Sequence, residues 1–331
     1  MTLTRTLAPI LAAALSAAAR AETNEIRCAQ QYGLSYLALM MMQDGKLVEK
    51  HARAMGLGDV KVTWAKLGGP GAMNDALLSG GLDFATGGVP SLITLWAKTK
   101  GSPIEVRGVG ALNDMPVQLV TSNPKVKAVK DFGPGDKIAV TTVKISTQAL
   151  LLEMAAAKIF GEKEYEKLDP LTVSMPHPDA MVAIFTGAVT AHFSSPPFQY
   201  QEVAKPGMHV VTSNYEILGG RATFNVVWST SRFRKDNPKA YAAFVAALEE
   251  ATEAIKKDKP AAAAIYKRMS NTAESLEELV KELSDPEVEF TLTPHKTLVT
   301  AEFMHRIGRI KVKPATWTDL YFDNLRGRDG S

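Results

Sequence analysis

The sequence predicts an α/β protein of two lobes with a helical C-terminal segment. Three observations predict it. Short apolar, strand-like runs alternate with helical stretches from residue 25 to residue 121, the same alternation starts again at residue 137, and a strand-like run over 223–230 is followed almost entirely by helix. Strands alternating with helices imply βαβ units and a mostly parallel sheet. A length of 331 residues suits two domains or one large one.

The elements follow in order. Residues 25–29 read as a strand, 34–43 as a helix after a turn at Gly33, and 46–55 as a second helix after Gly45. Residues 60–67 alternate apolar and polar side chains and read as a strand, followed by the Gly68-Gly69-Pro70-Gly71 turn and a short helix to Leu78. A strand over 82–86 leads through Gly87-Gly88 into a helix over 90–100 with Pro in its first turn, where its missing N–H costs little. Strands over 105–111 and 117–121 close this half. The second half reads as strands over 137–142, 171–175, 188–193 and 209–213, with helices over 146–160, 179–186 and onward from Phe198. After the strand at 223–230 come helices over 238–257, 260–269, 273–284 and 294–307, with Trp317 and Tyr321 as a C-terminal packing segment. The tail has no sheet of its own and must pack on one lobe. Strands 117–121 and 223–230 are placed to cross between lobes, giving lobe one as 22–121 with 225–331 and lobe two as 122–224. Two such lobes form a cleft that can close by hinge motion.

The N-terminus reads as a cleavable export signal over residues 1–21. Arg5 supplies the charge, residues 7–19 an apolar run, and Ala19-Arg20-Ala21 a small-x-small cleavage site with Glu22 opening the mature chain. The run is too short for a bilayer, which needs roughly 20 residues. Cys28, the single cysteine, excludes an intrachain disulfide and reads as a buried inert thiol. A formal charge of +3 without a dense Lys/Arg run leaves no nucleic-acid footprint.

Catalytic and metal-binding patterns are missing. The sequence has no H-E-x-x-H, C-x-x-C, G-x-S-x-G or G-x-x-x-x-G-K-S/T. The six histidines are scattered, with no two at helical ligand spacing. His192 reads as a satisfied structural residue in a strand, and His177, before Pro178, as an exposed helix start. No cofactor and no reaction are therefore expected. What stands out is a set of turn-to-helix junctions rich in Gly, Ser, Thr and Pro. Helix N-termini offer unpaired N–H donors and a positive dipole end, and in open α/β sheets ligands lie beyond the carboxyl ends of the strands. The candidate ligand-binding residues at these junctions are Tyr32, Tyr36, Gly69, Gly88, Pro90, Ser91, Ser146, Thr147, Gln148, Ser195 and Pro196. Phe198 is added as a ring to stack on a flat ligand, Arg221 as a bidentate partner for a carboxylate or sulfonate, and Asn225 as a hydrogen-bonding group at the lobe crossing.

Several runs resemble a known family. Tyr36–Met42 followed by Gly45-Lys46-Leu47-Val48-Glu49-Lys50, the run Ala76-Leu77-Leu78-Ser79-Gly80-Gly81-Leu82-Asp83-Phe84-Ala85 with Gly88-Val89-Pro90-Ser91 after it, and Val129-Lys130-Asp131-Phe132-Gly133 before Lys137-Ile138-Ala139-Val140 are similar to elements of nitrate/sulfonate/taurine-type (NMT1/THI5-like) solute-binding proteins of ABC transporters. The resemblance implies a two-lobed type II periplasmic-binding fold that closes on its ligand, and a membrane permease with its ATPase as partners. The export signal, with Cys28 not placed like a lipoprotein cysteine, predicts a freely diffusing periplasmic protein, expected as a monomer, and the candidate site residues predict a small polar or anionic ligand with an aromatic or apolar part allowed. The chain departs from the family at Gly187-Ala188-Val189-Thr190-Ala191, where an Asp is usual, and its Ser194-Ser195-Pro196-Pro197 run is unusual for nitrate or taurine binders. Two other readings stay open: an exported enzyme on the same scaffold, like the pyrimidine-precursor synthases, and a periplasmic ligand sensor.

Overall fold

The structure is a computed structural model that describes residues 21–331, so the expected export signal lies, Ala21 apart, outside the described residues. Strand β1 (Glu25–Gln30) buries Ile26 and Cys28, and burial pushes the Cys28 thiol well above its ordinary pKa. Helices α1 (Leu37–Asp44) and α2 (Leu47–Ala54) are split where Lys46 takes a left-handed conformation at φ 48°. Strand β2 (Lys61–Lys66) then pairs in parallel with β1, Trp64 opposite Cys28. Helix α3 (Pro70–Leu78), strand β3 (Ala85–Gly88), helix α4 (Val89–Thr99) and strand β4 (Val106–Asp114) complete the first half. The strand expected over 82–86 begins later because Asp83 turns to Arg27, pairing at 2.8 Å.

The second half holds β5 (Gln118–Thr121), β6 (Ile138–Val140), α5 (Thr147–Phe160), β7 (Thr172–Ser174), α6 (His177–Thr186), β8 (Ala191–Ser194), α7 (Phe198–Val203), β9 (His209–Ser213) and α8 (Asn214–Leu218). Strand β10 (Thr223–Thr230) returns, buried along all but its last residue. Then come α9 (Ser231–Asp236), α10 (Pro238–Lys257), α11 (Lys259–Ser270), α12 (Leu276–Leu283) and α13 (Thr297–Arg306). The tail packs on the first unit: Phe244 of α10 stacks on Phe84 at 3.7 Å, and Tyr321 is buried where it bridges to Gly108.

Among the described residues three sheets form two units, and neither unit is mainly parallel. The first unit joins the β1-β2 pair, through a Cys28–Phe84 bridge, to a three-stranded sheet of order β3-β10-β4 in which β10 is antiparallel to both neighbours. The second unit is a five-stranded sheet of order β7-β6-β8-β5-β9, parallel among β6, β7 and β8 and antiparallel wherever β5 pairs. The expected mostly parallel sheet is thus corrected to a mixed one, because the outgoing and returning strands insert against their neighbours' direction. The crossing itself also differs from expectation. β5, assigned by sequence to lobe one, pairs only in the five-stranded sheet, and β10 only in the three-stranded one.

Residues 115–117 join β4 to β5, and residues 219–222 join α8 to β10. Asn214 braces the outgoing passage, donating to the Met115 carbonyl at 3.1 Å and accepting from the Val117 amide at 2.9 Å. Asp114, fully buried beside it, binds the Thr223 hydroxyl at 2.8 Å and His295 Nδ1 at 2.5 Å.

Candidate functional site

The site lies where the two units meet. Leu34 donates its amide to the Pro196 carbonyl at 2.9 Å, and the Ser91 hydroxyl reaches the Ile145 carbonyl at 3.4 Å. Two glycines permit this approach. A Cβ on Gly69 would stand 2.6 Å from Thr142 Oγ1, and a side chain on Gly88 would collide with Thr147. Between these contacts is a cleft lined by Gln31, Tyr32, Ser35, Tyr36, Pro70, Gly88, Phe224 and Asn225 of the first unit and by Thr141, Ser146, Thr147, Gln148, His177 and Ser195 of the second. Its free space is about 10 Å³, room for one water molecule. A ligand of several heavy atoms therefore requires the units to part.

Local sequence explains why these residues converge. Four helices begin at the cleft: α3 at Pro70, α4 after Gly88, α5 after Ser146 and α6 at His177. Each follows a strand, directly or after a short turn, so the chain delivers N–H groups and positive dipole ends from both sides. Among the lining residues, two buried hydroxyls have no partner, Thr147 Oγ1 and Ser195 Oγ. Unpartnered buried hydroxyls are costly unless something else satisfies them. No lining residue carries a fixed charge. The Lys66 ammonium lies 5.4 Å from the centre of the Tyr32 ring.

Of the residues expected from sequence, Tyr32, Tyr36, Gly88, Ser146, Thr147, Gln148, Ser195 and Asn225 line the cleft. Ser146 also caps α5, accepting from the Ala149 amide at 3.3 Å, and Asn225 donates to Ser35 Oγ at 2.9 Å. Gly69, Ser91 and Pro196 instead make the contacts that join the units. Pro90 is buried in the first turn of α4, its carbonyl taken by the Thr94 hydroxyl at 2.8 Å. Phe198 stacks on His177, ring centres 5.7 Å apart, rather than facing the cleft. Arg221 is corrected outright. It pairs with Glu289 at 2.6 Å on the surface near the returning passage, because the Gly219-Gly220 turn aims it at the tail. Sequence reasoning missed Ser35, Thr141, His177 and Phe224, while Gln31 and Pro70 lie in junctions it marked (Gln31-Tyr32-Gly33 and Gly68-Gly69-Pro70-Gly71) without being singled out. Most adjoin expected residues, and Pro70 starts a helix the sequence placed two residues later.

His177 is the largest departure. Expected to be exposed, it is buried at the first turn of α6 and leads inward. Its Nε2 meets the Gln148 amide at 3.2 Å and its Nδ1 meets His192 Nε2 at 2.8 Å, while His192 Nδ1 meets Glu202 Oε1 at 2.6 Å. Burial holds the His177 pKa well below that of a free imidazole and His192 down at about 3, and pushes Glu202 up to about 8. At neutral pH the chain favours uncharged forms, so the cleft offers dipoles, amides, hydroxyls and aromatic faces rather than ions.

A larger, more open groove of about 650 Å³ lies against α9 and α10, lined by Arg107, Arg234, Tyr241, Val245 and Phe322 among others. Its arginines are already engaged, Arg107 with Glu105 at 2.7 Å and Arg234 with Asp323, and none of its lining residues has an unpartnered buried polar atom. The cleft between the units is therefore the candidate site. Among the described residues no group of three or more His, Cys, Asp or Glu could hold a metal ion, and no helix is long and apolar enough to cross a membrane.

Comparison with known proteins gives the same fold. The profile of the NMT1-like family matches residues 21–270. The nitrate-binding protein NrtA from Synechocystis PCC 6803 superposes with a TM-score of 0.69 at 18% identity, over 90% of this chain and 84% of that one. The alkanesulfonate-binding protein SsuA from Xanthomonas axonopodis pv. citri, bound to MOPS, gives 0.68 at 18% identity over 88% and 95%. The aliphatic sulphonate-binding protein SsuA from Escherichia coli gives 0.63 at 18% identity over 91% and 92%. No curated protein matches the chain. These three are described as nitrate- or sulfonate-binding proteins, two of them as periplasmic, and their fold is the one found here.

Proposed function

The chain belongs to the NMT1-like family, and from that premise we propose that it is a non-catalytic solute-binding component of an ABC importer. In this reading it works in the periplasm as a monomer, captures a small polar or anionic ligand between its two units, and delivers it to a permease and its ATPase. The units part about residues 115–117 and 219–222. The carrying observation is the cleft itself: four helix N-termini, two from each unit, face one another around unpartnered Thr147 and Ser195 hydroxyls. Such a site suits acceptor oxygens of a sulfonate, a carboxylate or a flat polar ring. The lack of a lining cation favours ligands with one charge or none.

A thermal-shift screen tests this reading. The protein is unfolded and refolded to strip carried-over ligand, then melted with alkyl and aryl sulfonates, taurine, nitrate, aromatic carboxylates, pyrimidines and amino acids. A ligand at 100 times its dissociation constant adds about 2.7 kcal/mol, a rise of a few degrees for a chain this size. One chemical class giving that rise and recovered unchanged supports the reading. A ligand that raises the melting point and is consumed overturns it in favour of an enzyme.

A further inference from the structure

We propose that the buried chain Glu202–His192–His177–Gln148–Thr141 sets the hydrogen-bonding polarity of the cleft, so that one proton taken up at its inner end turns Thr141 from an acceptor into a donor and fits the cleft to a ligand presenting acceptor oxygens. This rests on the reading of the cleft as a ligand site and adds what decides the ligand's chemistry.

The geometry is continuous. Glu202 Oε1 lies 2.6 Å from His192 Nδ1, His192 Nε2 lies 2.8 Å from His177 Nδ1, and His177 Nε2 lies 3.2 Å from the Gln148 amide nitrogen. The other end of that amide, Gln148 Oε1, lies 3.3 Å from the Thr141 hydroxyl in the cleft. All five residues are buried, so water does not interrupt the series. A neutral imidazole donates from one nitrogen and accepts at the other, and an amide does the same from its two ends. Each member therefore hands its orientation to the next.

With Glu202 ionised, His192 donates to it from Nδ1 and accepts at Nε2 from His177. His177 then accepts at Nε2 from the Gln148 NH₂, and Gln148 Oε1 accepts from the Thr141 hydroxyl. Thr141 shows the cleft its lone pairs. With one more proton, His192 donates from Nε2, His177 donates from Nε2 to a turned Gln148 amide, and the Gln148 NH₂ bonds Thr141 Oγ1. The Thr141 hydroxyl hydrogen is then free to point at a ligand. The outcome is the same whether the added proton rests on Glu202 or on His192 Nδ1, because His192 Nε2–H donates in both cases.

Beyond the Ser194 hydroxyl of β8, which acts to lower the carboxyl pKa, little else faces Glu202. From β8 comes His192 and from α6 comes His177, while Asp179 of α6 is exposed. β5, also packed on α7, carries no titratable side chain. Lys205 turns its ammonium to the Phe185 ring, 5.6 Å from its centre, and Glu274 and Glu282 lie in a separate groove against Tyr200 and Gln201.

The test needs no ligand at first. The full chain, labelled with nitrogen-15 at histidine, is followed by long-range proton–nitrogen correlation from roughly pH 5.5 to roughly pH 9.5, a window bracketing the raised carboxyl. His177 and His192 should change together from the Nε2–H tautomer at low pH to the Nδ1–H tautomer at high pH. In Glu202→Gln, whose amide donates to His192 Nδ1, both should stay Nε2–H throughout. A His177 that holds one tautomer while His192 changes, or a Glu202→Gln protein that titrates like the wild type, overturns the proposal. Should Glu202→Gln fail to fold, the wild-type titration decides alone. A second arm uses ethanesulfonate as the probe, with calorimetry at roughly pH 9 in two buffers of different ionisation heat. Binding should take up about one proton in the wild type and none in Glu202→Gln; binding without uptake in the wild type overturns the coupling. Ethanesulfonate that does not bind at all counts against the sulfonate reading of the site, and the tautomer titration still decides the relay.

Discussion

The two faces of the cleft are built on opposite principles. On the first unit, polar side chains close upon their own neighbourhood: Asn225 donates to Ser35 Oγ, and Gln31 donates to the Thr86 carbonyl at 3.2 Å. On the second unit, helix α5 and the turns beside it leave Thr147 and Ser195 without partners, and run a titratable chain from His177 back to Glu202. The same helix also buries Glu153, whose partner Arg309 reaches over from the tail of the first unit at 2.8 Å. On the first unit the polar groups pair among themselves, whereas helix α5 of the second also draws a partner from the tail. A surface of the first kind gives a ligand a fixed wall; the second kind responds to what meets it.

The largest way to break this contrast is to remove the partner that crosses. Arg309→Met leaves Glu153, with no exposed side-chain surface, unpaired. Breaking a buried pair from one side costs about 3–5 kcal/mol. The cost should depend on pH. Burial raises Glu153 to about 7 even with Arg309 in place, and losing Arg309 raises it further. The deficit is therefore full above that range and shrinks as pH falls and the carboxyl takes up a proton. Urea unfolding at roughly pH 8.5 and roughly pH 5.5 checks this. Equal deficits at both values would mean that the second unit does not depend on the tail in this way.

A smaller effect separates the titratable face from the fixed one. The folded pKa of Glu202 is raised from 4.5 to about 8, so its contribution is fully present below the unfolded value and is lost as pH rises toward 8. His192 and His177 act on the acid side. Their folded values are depressed, so stability falls as pH drops below about 6.5. Within the window from about 4.5 to about 8, Glu202→Gln should flatten the alkaline decline by about 1.4 kcal/mol per pH unit. Asn225→Ala, on the first unit, should lower stability by about 1 kcal/mol with no change in slope. Melting curves across the window compare the two. Parallel pH profiles for Glu202→Gln and the wild type would erase the distinction between the faces.

Much of this was legible in the chain, and what was not has a physical cause. Alternating runs and Gly/Pro turns placed almost every element, and β9 and β10 fell on the expected residues, because those signals are local. The direction of pairing was not local: nothing within 118–121 says that it will lie antiparallel to strands 70 and 90 residues further on. In the cleft, junction chemistry found Ser146, Thr147 and Gln148 on one helix start. His177 escaped it. A histidine before proline at a helix start looks exposed until β8, fifteen residues later, sets His192 beneath it. Burial imposed by a second segment is invisible to any single window of sequence.

Arg221 sharpens the contrast from the outside and carries the smallest expected effect. By sequence it was the natural partner for an anionic ligand; in the structure its guanidinium meets Glu289 and the Pro286 carbonyl at the surface. Both members of the pair are substantially exposed, where such pairs contribute roughly 0.2–1 kcal/mol. Arg221→Ala should therefore shift the melting point by no more than a few degrees and leave the affinity for any ligand found in the thermal screen unchanged. Isothermal titration of the variant with that ligand decides it. A tenfold loss of affinity, about 1.4 kcal/mol, would return a cation to the binding face. It would also show that the open form brings Arg221 around to a cleft that, with the units together, is held by dipoles and hydroxyls alone.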